Sequence, residues 1–154
     1  VLQAVGKTAD AGNQTEAALS RIILAAVYGS GAKGGFIATL DGTQDELVIQ
    51  AVANLPRWRR RRIPLDKHSP LAQVVQTGAQ FNHQDPSGFW TYLPLLRAQQ
   101  SIGVVAIVGQ RKDIPAHVEQ LFATLAGYAT YVIENDQLRA RLDRFTRNLK
   151  QVQP

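Results

Sequence analysis

TYLPLLRAQQSIGVVAIVGQ, residues 91–110, decides the fold. It closes a strand over 89–97 that Pro94 interrupts. Proline donates nothing to a sheet ladder, so an edge position or a bulge is expected there. A short polar connection follows. Residues 102–108 are then a nearly continuous apolar run, as a central strand buried on both faces requires. A helical pattern begins near Ile114 and Pro115 and runs past Lys150. Two paired strands feeding one long helix predict an α+β domain. At about 1.5 Å per residue the helix would be roughly 55 Å long, more than one small domain needs.

That helix changes character along its length. Val118, Leu121, Phe122, Leu125, Ala126 and Ala129 form a face that packs on a sheet. Farther on, Tyr128, Tyr131, Asn135, Leu138, Leu142, Phe145, Leu149 and Val152 are spaced alternately three and four apart. This is a heptad seam with Asn135 at an a position. In a parallel homodimer Glu134 at g and Arg139 at the next e position would meet as opposite charges. Those seven residues from Tyr128 to Leu149 are the expected dimer interface.

Upstream, 1–14 is small and polar and reads as a linker. Thr15 is placed to cap a helix over 16–28, whose face is Leu19, Ile22, Ile23, Ala26 and Val27. Glycines at 29, 31, 34 and 35 stop it. Strands are expected over 36–40 and 46–53, joined by a turn at 41–45. In the second of these, Leu47, Ile49 and Ala51 should face one way and Val48, Gln50 and Val52 the other. Ser69 and Pro70 open a short helix with Leu71, Val74 and Val75 inward, and Gly78 closes it. A strand over 79–83 and a turn at 85–88 complete the chain.

The 154 residues suffice for one domain with a proper core. No apolar run approaches the roughly 18–20 residues that span a bilayer, and a cytoplasmic location is expected. There is no cysteine, which excludes disulfides, thiolate nucleophiles and cysteine-held zinc. The chain opens on Val1 and has no methionine, so a piece of a larger protein is expected. The net charge of +5 comes mainly from arginines gathered in 57–62 and 139–150. As an extended segment, RWRRRR (57–62) would put Trp58, Arg60 and Arg62 on one side and Arg57, Arg59 and Arg61 on the other. The first set could offer a planar fork to a carboxylate or phosphate. The plain alternative is an edge whose charges block aggregation. A nucleic-acid reader would interleave more aromatics than Trp58 alone.

The order of elements, together with IPL (63–65), SPLAQVVQTG (69–78), PL (94–95), IGVV (102–105) and YATYVIEN (128–135), resembles a GAF domain over about 15–135. The resemblance implies a central antiparallel sheet with the N- and C-terminal helices on one face. It implies a small-molecule pocket on the other. Such domains sit in sensor histidine kinases, cyclases, phosphodiesterases and transcription regulators, and signal through the C-terminal helix. On that reading 15–135 is the sensor domain and 136–154 a coiled-coil signalling helix leading to an output domain. Bilin-binding and methionine sulfoxide reductase members of the family use cysteines, and this chain has none. Cyclic-nucleotide binders carry an Asn-Lys pair that is missing, although Asn82 and Phe89 are present. Haem binders use a histidine, for which His68 or His83 would have to serve.

The expected ligand-binding residues are Arg60, Arg62, Phe81, His83, Trp90 and Tyr92, with the cofactor unspecified. Phe89–Tyr92 could stack on a planar ligand or pack as core. No paired carboxylates, hydrolytic triad or phosphate loop emerges, because the Gly29–Gly35 stretch precedes a strand instead of opening a helix. A regulatory, non-catalytic sensing and dimerisation module is therefore expected. Its alternatives are a dimerisation scaffold whose pocket is filled by its own side chains, and a binder of an anionic partner through the arginine cluster.

Overall fold

In the computed structural model the backbone is described for residues 2–152 and the side chains for 14–150. The order is α1 (Leu2–Ser30), β1 (Gly34–Leu40), β2 (Glu46–Ala53), a 3-10 turn (Pro56–Trp58), β3 (Arg62–Pro64), α2 (Pro70–Thr77), β4 (Phe81–Asp85), β5 (Gly88–Arg97), β6 (Gln100–Gly109) and α3 (Ala116–Val152). The strands form one sheet ordered β3-β2-β1-β6-β5-β4, and every neighbouring pair is antiparallel.

β6 lies in the middle and is buried from Ser101 to Val108. Val105 and Ile107 face a core with Leu19, Ile23 and Val27 of α1 and with Val118, Phe122 and Ile133 of α3. Val104, Ala106 and Val108 face a second core with Leu71 and Val74 of α2 and with Phe36, Trp90 and Tyr92. The expected α+β architecture, with both terminal helices on one face, is what forms. α1 and α3 run antiparallel. The Thr15 hydroxyl donates to Asp136 Oδ1 at 3.2 Å near one end, and Gly29 abuts Leu121 near the other.

α2 forms for the reasons its sequence advertises. Ser69 Oγ accepts from the Ala72 amide at 3.1 Å, Pro70 starts the helix, and Gly78 ends it at φ 65° with its amide on the Val74 carbonyl. Pro94 sits in β5 beyond the last residue paired to β4, which reaches only Tyr92. The strand is therefore locally an edge at Pro94, and a register shift follows between Leu95 and Leu96.

Four expectations change. The helix expected from Glu16 begins at Leu2, so Thr15 lies inside it and does not cap it. Extending an existing helix fixes one residue per hydrogen bond and is far easier than nucleating one, so Gly6 and Gly12 fail to stop it. β2 does not alternate throughout. A register shift against β1 between Ile37 and Ala38 leaves Gln50 without a paired residue. Leu47 and Ile49 accordingly face the α2 side, while Ala51 and Ala53 face the helices. Gln50 uses its own side chain, donating Nε2–H to Thr39 Oγ1 at 2.9 Å.

The run 57–62 is not extended. Pro56 opens a 3-10 turn, and Arg59 (φ −61°, ψ 129°) followed by Arg60 (φ 58°) makes a type II turn closed by the Arg61 amide on the Trp58 carbonyl at 3.2 Å. Finally, β4 starts at Phe81, two residues later than expected, because its register is set by pairing with β5.

Two backbone positions yield predictions. The β5–β6 hairpin closes through Ala98 and Gln99, at φ 48° and 68°. Positive φ at both positions is the type I′ pattern, which Asn-Gly adopts without the strain that alanine and glutamine carry. The double change Ala98→Asn, Gln99→Gly should raise stability by about 1–2 kcal/mol, read as a higher urea midpoint at unchanged slope. At Gly103 the opposite holds. A Cβ there would press into the Ala38 carbonyl oxygen on the neighbouring strand. Gly103→Ala should cost roughly 3 kcal/mol or more in the same assay.

Candidate functional site

The sheet face under α2 is where the sequence places a pocket. In the structure, rings from three segments occupy it. Trp58 is brought over the sheet by the 3-10 turn and lies stacked on Phe36, with centroids 5.2 Å apart and planes at 16°. Trp90 meets Trp58 edge-on at 5.8 Å and Phe36 at 6.1 Å. On its other side Trp90 stacks on Tyr92 at 5.8 Å, and the His83 ring lies nearly parallel to Tyr92 at 6.5 Å. Such offset and tilted contacts are the arrangements that ring quadrupoles favour. The Arg61 guanidinium covers Trp58 from outside, 4.9 Å from the ring centroid.

The Trp90 indole N–H and the Asp85 carboxylate at the rim are paired. The Trp90 indole donates to Asp85 Oδ2 at 2.9 Å, while Asp85 Oδ1 accepts from the Ser87 amide at 2.8 Å. Burial, and secondarily the nearby Asp85 carboxylate, push the Tyr92 phenol well above its ordinary range. Tyr92 is therefore a neutral group at any physiological pH.

The expected ligand residues divide into two groups. Phe81, His83, Trp90 and Tyr92 are brought together, since Phe81 pairs with Tyr92 and His83 with Trp90 across the β4–β5 ladder. Arg60 and Arg62 stand apart from them. Arg62 is held by Glu46 at 3.1 Å, a solvated pair of the kind that contributes about 0.2–1 kcal/mol. Arg60 lines a hollow of about 230 Å³ shared with Glu16 and Ser20 on the α1 side. His68 is exposed ahead of α2. Among the described residues no three His, Asp or Glu side chains gather as a metal site would require, and no helix is long and apolar enough to cross a membrane.

The expected dimer residues lie along the outside of α3. Tyr131, Leu142 and Phe145 are each 62% exposed, and Tyr128, Leu138 and Leu149 are also exposed, while Asn135 is half-buried. Near the end of the domain the Arg97 guanidinium of β5 donates to Gln137 Oε1 of α3 at 3.1 Å. Every residue over 138–150 is exposed. Two apolar side chains of α1 that the sequence reading did not pick out, Leu24 and Tyr28, are exposed as well. Their spacing of four, off the Leu19–Ile23 face, was the available signal. Also unforeseen is a cavity of about 450 Å³ where the end of α1 meets the start of α3. No local sequence signal marks it, since its walls come from four separate elements.

No family model matches the sequence, and no curated protein does. Solved structures do match. The GAF domain of an Acinetobacter phosphoenolpyruvate-protein phosphotransferase superposes with a TM-score of 0.71 at 14% identity, covering 86% of this chain and 95% of that one. The second GAF domain of DevS from Mycobacterium smegmatis gives 0.61 at 23% identity, covering 85% and 99%. A type II free methionine-R-sulfoxide reductase from Thermoplasma acidophilum gives 0.69 at 12% identity, covering 81% and 95%. At these identities the likeness is one of fold, and the fold of this chain, a six-stranded antiparallel sheet backed by its two terminal helices, is that of the GAF domains.

Proposed function

We propose that the chain is a regulatory, non-catalytic module of a larger cytoplasmic signalling protein, and that it dimerises in parallel through α3. The observation that carries this reading is the apolar seam from Tyr128 to Leu149. It is exposed apart from the half-buried Asn135, it repeats at heptad spacing, and it continues well past Ile133, the last buried residue of α3. A row of exposed tyrosine, leucine and phenylalanine side chains marks an association surface, not a solvated face. Leu24 and Tyr28 on α1 are further exposed apolar side chains of the helical face. Two of the fold relatives, a phosphotransferase and DevS, are named as proteins of which the GAF domain is one part, which fits an output domain joined through α3.

A second reading concerns the face under α2. The stacked Phe36, Trp58, Trp90 and Tyr92 favour the scaffold alternative there, with the space a ligand would take already filled. If that face does bind a planar molecule, Trp58 must leave, because it is the ring contributed by a turn and not by a strand.

Sedimentation at micromolar concentration tests the dimer. The wild type should sediment as two chains and the variant Leu138→Glu, Leu142→Glu as one. The variant should keep the wild-type unfolding transition of the domain to within about 0.5 kcal/mol, because both side chains are largely exposed and lie beyond the buried core. A monomeric wild type would end the proposal. For the filled face, Trp58→Ala should cost about 3 kcal/mol in urea unfolding. A loss near zero would mean the ring is not part of the core and that the face is open.

A further inference from the structure

We infer that the cavity between the end of α1 and the start of α3 is a binding site for a small organic monocarboxylate with an apolar body. This face is opposite to the aromatic layer, and the inference does not depend on the dimer. The volume of about 450 Å³ is in the range of small-molecule sites. The deep walls are apolar: Phe89, Ile107, Ile114, Val118 and Phe122.

One polar side chain lines the cavity with no partner of its own among the described residues. Thr91 is only 5% exposed, lines the cavity, and forms no hydrogen bond through its hydroxyl with any described residue. Trp90 and Tyr92 on either side of it face the aromatic layer, so strand alternation turns Thr91 toward the cavity. The hydroxyl is open to the cavity, so it is available to a polar atom of a molecule bound there. The neighbouring Ser30 hydroxyl does not share the problem, because it donates to the Ala26 carbonyl at 2.6 Å.

The mouth supplies the complement for a negative charge. α3 starts there, and the amides of Ala116 and His117 have no acceptor among the described residues, whereas those of Val118 and Glu119 both bond to the Pro115 carbonyl. Free amides at the head of a helix of 37 residues favour an anion. Arg111, also at the mouth, makes no ion pair among the described residues. Asp113 stands on the same rim. One guanidinium against one carboxylate leaves the rim near neutral, which favours a single carboxylate over a phosphate or a dicarboxylate.

The body of the ligand would lie against Phe89 and Phe122, its carboxylate at the α3 amides and Arg111, and Thr91 would bond to a polar atom at its deep end or to a water carried with it. Since Gly29 and Ser30 of α1 and Pro115 to Phe122 of α3 wall the same space, occupation would bear directly on how the two helices pack. That last consequence rests on the dimer reading. The site does not.

Phenylacetate and 4-hydroxyphenylacetate are suitable probes, titrated into the ¹⁵N-labelled full chain with inorganic phosphate as control. Saturable shifts are expected at the amides of Thr91, Ala116 and His117, with phosphate giving none. The 4-hydroxyl gives Thr91 a direct partner. Thr91→Val should therefore weaken 4-hydroxyphenylacetate about fivefold to tenfold while leaving phenylacetate nearly unchanged. Because no described residue bonds to that hydroxyl, the same change should not lower the stability of the free protein. Arg111→Gln should weaken both probes about tenfold with the unfolding midpoint unchanged. A merely structural threonine would leave the ratio of the two affinities unmoved, and that result would overturn the role of Thr91. No saturable shift at millimolar probe, or shifts confined to Trp58 and Trp90, would overturn the site. Oligomeric state is read separately on the same samples, so loss of binding and loss of the dimer are distinguishable.

Discussion

β6 is apolar on both of its faces, and the rest of the molecule answers that constraint. Alternate side chains from Val104 to Val108 leave the strand on opposite sides, and none of them is solvated. At roughly 25 cal/mol per Å² of apolar surface, leaving either face open to water would forfeit a large share of the stability of a small domain. The sheet therefore needs two covers. On one side the chain uses its two ends, α1 and α3. On the other it uses the middle of the sequence, from the 3-10 turn through α2. Gly103 matters because it sits where β6 passes closest to β1, with no space for a side chain beside the Ala38 carbonyl.

The two covers differ in kind. The middle segment is short and has little helix of its own, and it adds Trp58 to rings that the strands already supply, Phe36 from β1 and Trp90 from β5. Ala38 and Ala106 are small, and the space above them is taken by Phe36, Trp58 and Trp90. A face built this way is dense and offers little to exchange. The helical cover has a surplus. α3 needs only its first five turns or so to close the core, since Ile133 is its last fully buried residue, yet it continues to Val152. At the other end, where α3 begins, the fit between helices and sheet is loose enough to leave a cavity with Thr91 in its floor. Dense packing under α2 and looseness under the helices locate the adaptable part of the molecule on the helical side.

Much of this was legible in the sequence, and the limits are physical. The central strand, the helix faces and the capping of α2 by Ser69, Pro70 and Gly78 rest on local patterns, and those patterns hold. The β2 bulge at Gln50 was not legible, because it is set by register against β1 and not by the composition of β2 itself. The bend of 57–62 was missed for a related reason. Arg60 is a poor residue for a left-handed turn position, and the closing bond from Arg61 to Trp58 and the packing of the half-buried indole on Phe36 hold it there. The aromatic residues of the candidate site were identifiable from their clustering between 89 and 92. That they pack on Phe36 and Trp58, far away in the chain, is a tertiary fact. The cavity was invisible for the same reason, since Thr91 looks like any strand threonine until the elements around it are in place.

The tail of α3 carries a charge pattern that bears on the strength of its seam. Arg139, Arg141, Arg144, Arg147 and Lys150 face a single carboxylate, Asp143. In a parallel pair these charges lie alongside their own copies and repel, while Leu138, Leu142, Phe145 and Leu149 attract. The Arg139 pairing with Glu134 of the second chain relieves only the first step of that repulsion. In the proposed dimer, a seam of about three heptads that its own charge opposes over the distal half would strengthen as salt screens the repulsion. Binding to nucleic acid through the same arginines would respond in the opposite sense. A seam opposed in this way would suit the signalling role proposed for α3. A ligand that distinguishes two helix packings by 1–3 kcal/mol can shift a weak seam substantially but would barely disturb a strong one.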